Sequence, residues 1–246
     1  MIFETRTRAK IGVLVPFTNT NLEADMMLMR CPDTTVHFQR MGGYDVDEIP
    51  GSDQMAGLGA SDISHDLKMI SGVRPDAVLY GCTSATLTHG SSFDRKLAQD
   101  IRAASGAVCI TAAGALVGAI HALGVSRVGF SSPYLGEINT QAMDFLTQNR
   151  IATVKCADIG RELGNYGQGE LTPDEVFDLA MQADHPKAEA IILSCTDMRA
   201  VEAIDRIETA LDKPVVTSNQ AMMFALMRAL DLPRHRSVPG RVFDLL

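Results

Sequence analysis

The sequence predicts an α/β protein built on parallel sheets, and three observations carry that reading. Short apolar runs rich in Val and Ile alternate with segments of helical period along the whole chain, the pattern of strands covered by helices on both faces. Three strand-end landmarks recur in the same order about half a chain apart. With 246 residues, 46% hydrophobic and 21% charged, the chain is long and apolar enough to bury a substantial core, which excludes disordered and fibrous classes.

The elements follow in order. AKIGVLV at 9–15 is a strand closed by Pro16, and the polar turn after it leads into a helix near 20–30. TVHFQ at 35–39 is a second strand, followed by helical period near 53–72. AVLY at 77–80 ends in Gly-Cys-Thr, and a helix near 91–105 leads to VCIT at 108–111 and a helix near 113–123. RVGF at 127–130 is again closed by Pro, at 133, before a helix near 135–149. TVKCA at 153–157 precedes a helix near 173–184. AIIL at 190–193 ends in Ser-Cys-Thr before a helix near 198–211, and VVT at 215–217 enters a helix near 219–230.

A comparison of the chain with itself divides it in two. IGVLVP (11–16) matches VGFSSP (128–133), VLYGCTSA (78–85) matches IILSCTDM (191–198), and AVCITAAGA (107–115) matches PVVTSNQA (214–221), at offsets of about 106 to 117 residues. Two similar lobes are implied, 1–124 and 125–213, with the seam at 123–126 and the closing segment 214–246 available to complete the first lobe. No Gly/Ser/Pro-rich linker separates them, so they should be tightly joined. Parallel sheets take ligands outside the carboxyl ends of their strands; facing lobes would bring Cys82 and Cys195 to opposite walls of one cleft.

A net charge of -8 argues against wrapping nucleic acid or docking on anionic membrane, while leaving room for an anionic substrate at a local site. No apolar stretch approaches the roughly 20 residues of a membrane span. MIFETRTRAK runs into the first strand without a signal-type apolar region, so the expected address is the cytoplasm. Five cysteines without a C-x-x-C pair suit neither a disulfide framework nor a zinc site. Cys31, Cys109 and Cys156 are explained by packing. The six histidines show no metal-ligand spacing; His89 could approach Cys82, with helix packing as the alternative. The glycines at 57 and 59, and at 164, 167 and 169, make no nucleotide loop, so neither cofactor nor metal is indicated.

Cys82 precedes Thr83, Ser84, Ala85 and Thr86, which can open a helix. Backbone N–H groups and the helix dipole there would favour thiolate; a fall from about 8.5 to about 6.5 corresponds to roughly 2.7 kcal/mol. The same position holds for Cys195, but Asp197 adds a negative charge and disfavours thiolate. Cys82 is thus expected to be the nucleophile and Cys195 the proton donor. The Pro-turns place Asn19, Thr20 and Tyr134 where they could hold a carboxylate; simple helix capping explains Asn19 and Thr20 equally well.

VPFTNTNLE, YGCTSAT, SSPY, SCTDMR and KPVVTSNQA, in this order, resemble the aspartate/glutamate racemase superfamily, specifically its maleate cis-trans isomerase and arylmalonate decarboxylase branch. The resemblance spans 11 to about 230. It implies two pseudo-symmetric flavodoxin-like lobes with the site between them, no cofactor, a small dicarboxylate substrate and a homodimer or higher homo-oligomer. It makes Cys82 the nucleophile and Cys195 the acid/base partner, with Asn19, Tyr134 and Asn165 as carboxylate-binding residues helped by Thr83, Ser84 and Thr196. Arylmalonate decarboxylases resemble the chain in layout but carry Gly at the first cysteine position. The two cysteines point to a maleate-type isomerase, with a two-cysteine amino-acid or hydantoin-type racemase as the alternative and a small-acid binding protein as the non-enzymatic reading. Asp197 departs from the neutral residue expected there in the isomerases.

Overall fold

The computed structural model describes residues 9–43, 48, 51–234 and 238–246. Eight parallel strands form two four-stranded sheets: β1 (Ala9–Pro16), β2 (Thr34–Met41), β3 (Ala77–Tyr80) and β4 (Val108–Thr111) in the first, and β5 (Arg127–Ser131), β6 (Ala152–Ala157), β7 (Ala190–Leu193) and β8 (Val215–Thr217) in the second. The sheets have the same order, β2-β1-β3-β4 and β6-β5-β7-β8, so the sequence repeat is a repeat of topology. The inner strands β1, β3, β5 and β7 are almost wholly buried, which is why they read as unbroken apolar runs.

Helices cover both sheets: α1 (Leu22–Leu28), α2 (Ser52–Ala60), α3 (Ser64–Ser71), α4 (Thr83–Leu87), α5 (Ser91–Ser105), α6 (Ala112–Ala122), α7 (Gly136–Gln148), α8 (Gly167–Glu170), α9 (Pro173–Ala183), α10 (Ile204–Leu211) and α11 (Ser218–Ala229). The segment expected as one helix near 53–72 is two. The helix expected from 198 begins as a 3-10 turn at Val201–Ala203 before α10. Threonines at strand ends start the helices that follow: Thr111 accepts from the Gly114 N–H at 3.1 Å and Thr217 from the Gln220 N–H at 3.2 Å. Thr172 and Glu175 form a capping box at α9, with Pro173 in the first turn.

The halves are held together by α6, which follows the first sheet, and α11, which follows the second; the two pack on each other and each touches β4 and β8. One hydrophobic cluster runs through both halves, from Val13 and Leu79 to Val128, Ile192 and Phe243. A smaller one, with Leu14, Val78 and Tyr80, lies on the other face of the first sheet. No helix among the described residues is long and apolar enough to cross a membrane.

Candidate active site

The two Cys-Thr elements are set at equivalent points by equivalent bonds. Gly81 N–H donates to the Leu14 carbonyl at 2.9 Å and Ser194 N–H to the Ser131 carbonyl at 2.8 Å, carrying each ladder one residue past its strand. Gly81 is required for this approach, because a Cβ there would meet the Leu14 oxygen at 2.7 Å and the Leu22 side chain at 2.3 Å. Cys82 and Cys195 come next, 5% and 4% exposed. Both line a narrow cleft together with Asn19, Thr83, Ser84, Tyr134, Asn165, Thr196 and Asp197. The sequence-selected residues are therefore brought into one place from both halves of the chain.

Beyond those ladder bonds the two cysteines differ. Cys82 is the N-cap of α4, and its sulfur meets the backbone N–H groups of Ser84 and Ala85 and the Ser84 hydroxyl at 3.7 Å. Cys195 is followed by a turn rather than a helix, so it lacks the dipole expected for it. Its sulfur accepts from the Asp197 N–H at 3.4 Å and pairs with the Tyr134 hydroxyl at 3.6 Å. The expectation of a Cys82 thiol lowered toward neutrality is not met: burial pushes it above its ordinary value, against the three donors that lower it. Burial and then the Asp197 charge push Cys195 up to about 12. Asp197 thus acts on Cys195 in the expected sense, while desolvation outweighs the helix terminus at Cys82.

Several polar side chains of the cleft are already engaged. Asn19 Oδ1 accepts from the Asn21 and Leu22 N–H groups at 3.1 and 2.9 Å, so it holds the start of α1 from two residues before the N-cap, Asn21. Its amide donates to Thr196 Oγ1 at 3.0 Å, and one amide hydrogen is left over. Thr196 Oγ1 donates in turn to the Gly81 carbonyl at 2.8 Å, clamping the segment before Cys82 to the one after Cys195. Thr83 Oγ1 donates to Ser218 Oγ at 2.9 Å. Asn165 donates to the Glu48 carbonyl. Ser84 Oγ donates to Met55 Sδ at 2.9 Å.

Met55, Leu58 and Gln168 also line the cleft and were not singled out in the sequence. Met55 and Leu58 sit on α2, which packs against α4. Nothing in a helical apolar stripe distinguishes a roof over a site from ordinary core. Gln168 belongs to α8, a single helical turn inside the glycine-rich stretch read as loop. His89 packs instead of reaching the cleft: its Nε2 bonds the Ala56 carbonyl at 2.8 Å and its ring stacks on Phe93. Among the described residues no group of three or more His, Cys, Asp or Glu could hold a metal ion.

The arylmalonate decarboxylase family model matches residues 51–243, well over half of the chain. The chain belongs to the arylmalonate decarboxylase family. Its relatives within and around that family carry two names. It is 25% identical over 242 residues to a maleate isomerase of Geobacillus stearothermophilus, covering 91% of this chain and 92% of the relative. It is 29% identical over 165 residues to an arylmalonate decarboxylase of Bordetella bronchiseptica, covering 66% and 68%. Its fold matches that of a variant of the Nocardia farcinica maleate cis-trans isomerase holding a covalently bound succinylcysteine intermediate, with a TM-score of 0.86 and 21% identity over 96% of this chain and 98% of the other.

Proposed function

We propose that this member of the arylmalonate decarboxylase family is a cofactor-independent cis-trans isomerase of maleate or a closely related cis-enedioate. The observation that carries the reading is the pair of buried cysteines, Cys82 and Cys195, lining one cleft from equivalent strand ends. A single-thiol decarboxylase does not call for the first of them. The maleate isomerase relatives, matched along nine-tenths of the chain, support the same choice.

Rotation about a C=C bond is prohibitive until the π bond is removed. The Cys82 thiolate adds to one alkene carbon; the π pair moves to the neighbouring carbon and into its carboxylate. Cys195, held as a thiol, stabilises that centre, either by donating a hydrogen bond or by lending its proton and taking it back. The C–C single bond turns, the pair re-forms the double bond, and the Sγ–C bond breaks to release the trans acid. The cycle regenerates the thiolate, so the cost of ionising a buried thiol is met once rather than at each turnover, and the N–H groups of Ser84 and Ala85 hold the anion meanwhile. Tyr134, Ser84, Asn165, the spare Asn19 hydrogen and the backbone N–H groups of Thr83 and Thr196 are the groups assigned to the carboxylates, fixing one end while the other turns. We place the enzyme in the cytoplasm, where its thiols stay reduced, as a homodimer or higher homo-oligomer.

Incubation with maleate, followed through the alkene proton signals, should show fumarate forming with no added cofactor. Cys82→Ala should lose more than 95% of the rate and Cys82→Ser nearly as much, with folding unchanged. No reaction with maleate, together with solvent deuterium entering the α-carbon of an amino acid or hydantoin in heavy water, would favour the two-thiol racemase instead.

A further inference from the structure

We propose that Asp197 selects the second end of the substrate: the cleft takes a cis-enedioate bearing a proton or an N–H group there, the half-protonated diacid or its half-amide, in preference to the dianion. The inference rests on the isomerase reading and sharpens it.

Asp197 uses one oxygen to hold the chain. Its Oδ1 accepts from the backbone N–H groups of Thr20 and Asn21 at 2.7 and 3.0 Å, and from the Thr20 hydroxyl and the Asn21 amide at 3.3 Å each. Its Oδ2 accepts no hydrogen bond from the described residues, although Asp197 is buried, 8% exposed, and lines the cleft. Gly169 presses close to that oxygen; a Cβ there would lie 3.0 Å from Oδ2, so a larger residue would crowd it. None of the cleft's lining residues is Lys, Arg or His.

A dianion would therefore enter a desolvated cleft that offers neutral donors, no cation and one carboxylate with an open lone pair. Two carboxylates brought together in such surroundings share one proton, because both cannot stay ionised at close range. An amide N–H satisfies the same oxygen without that proton. The other ionisable groups near Asp197 are Asp25 from α1, whose charge couples to it and to Arg199 and Glu202, its neighbour Cys195, and Tyr134 and Cys82 on the cleft walls. The cations of the surrounding elements, Arg199 and Arg40, are paired with Glu202 and Glu23, and neither lines the cleft. Burial also pushes the Asp197 carboxyl above its ordinary value, which is the direction a shared proton needs.

The test compares maleate with its monoamide. In the wild-type protein the ratio of kcat/KM for the monoamide over that for maleate should rise about tenfold per pH unit from pH 7 to 9; ionisation of Cys82 affects both substrates and cancels. Calorimetric titration at pH 8 in two buffers of different ionisation enthalpy should show about one proton taken up with succinate and none with succinamate, neither of which can isomerise. Asp197→Asn should flatten the pH dependence of the ratio and move it at least tenfold toward the diacid. A pH-independent ratio, or succinate binding with no proton uptake, would overturn the proposal and leave Asp197 as a tether for α1. If Asp197→Asn does not fold, the two wild-type measurements decide alone. If neither substrate is turned over, the isomerase reading has failed; the succinate and succinamate titrations still report on Asp197.

Discussion

Asp25 offers a stability prediction with a sign that is unusual for a carboxylate. It lies on the inner face of α1, 6% exposed, and accepts from Asn219 Nδ2 at 2.7 Å; the same amide donates to the Thr196 carbonyl at 3.0 Å, directly behind the cleft. Burial raises its carboxyl from 3.8 to about 7, with Glu202 and Asp197 adding to the rise and Asn219 and Arg199 opposing it. The folded chain thus keeps a proton that the unfolded chain releases above about pH 4. Stability from this group is complete below pH 3.8 and is lost as the pH rises through 7. At about 1.4 kcal/mol per pH unit between the two titrations, the whole effect is about 4 kcal/mol, of which about 3 kcal/mol falls between pH 5 and pH 8. Asp25→Asn keeps an acceptor for Asn219 and removes the ionisation. Urea unfolding of both proteins at pH 5 and pH 8 should therefore show the wild type losing about 3 kcal/mol more than the variant. Equal losses would refute the reasoning, and a larger loss in the variant would mean that the carboxylate stabilises the fold.

Gly59→Ala should cost about 1 to 3 kcal/mol and depress turnover, because its Cβ would lie 2.1 Å from the Ala85 carbonyl oxygen and push α2, with Met55 and Leu58, away from Cys82; an unchanged Tm and rate would show that α2 can shift freely. Iodoacetamide with peptide mapping should modify Cys82 ahead of Cys195, slowly near neutral pH and faster above pH 9, since burial raises both thiols. Asp197→Asn should narrow that gap, and no response would mean the carboxylate does not govern Cys195. Dialysis against a chelator should leave turnover unchanged; loss of activity restored by a divalent metal would contradict the cofactor-free route.

The inner strands were legible because they are buried on both faces, and the half-buried edge strands β2 and β6 because β-branched residues mark them. All eight expected strands are present within one or two residues at each end, from AVLY and AIIL, which match their bounds, to β2, which runs one residue earlier and two later than 35–39. Helices were legible where a cap or breaker marked them, as at Thr172–Pro173, and blurred where a polar turn kept helical spacing, as between α2 and α3. In the site, the residues that follow a strand could be placed because parallel topology sends every strand end the same way. What the sequence hid was burial. Thr83 and Ser84 announce a helix N-terminus at Cys82, but the roof that desolvates the thiol comes from α2, and no local pattern ties Met55 to Cys82.

Internal repetition explains how two thiols reach one cleft, and its failure explains how they can differ. Equivalent ladder bonds at Gly81 and Ser194 deliver Cys82 and Cys195 to matching positions. Immediately after them the halves diverge. The first continues as Thr83-Ser84-Ala85 into α4, so backbone N–H groups point at the Cys82 sulfur; the second turns through Thr196 and Asp197, whose carboxylate is pinned by the start of α1. Both sulfurs thereby meet hydrogen-bond donors, but Cys195 also feels the Asp197 anion while no charged side chain acts on Cys82, in a cleft that desolvates both. A racemase working from both faces of a stereocentre needs two thiols of comparable acidity. An addition and elimination at an alkene needs one nucleophile and one persistent donor, and the divergence after the two cysteines supplies that inequality.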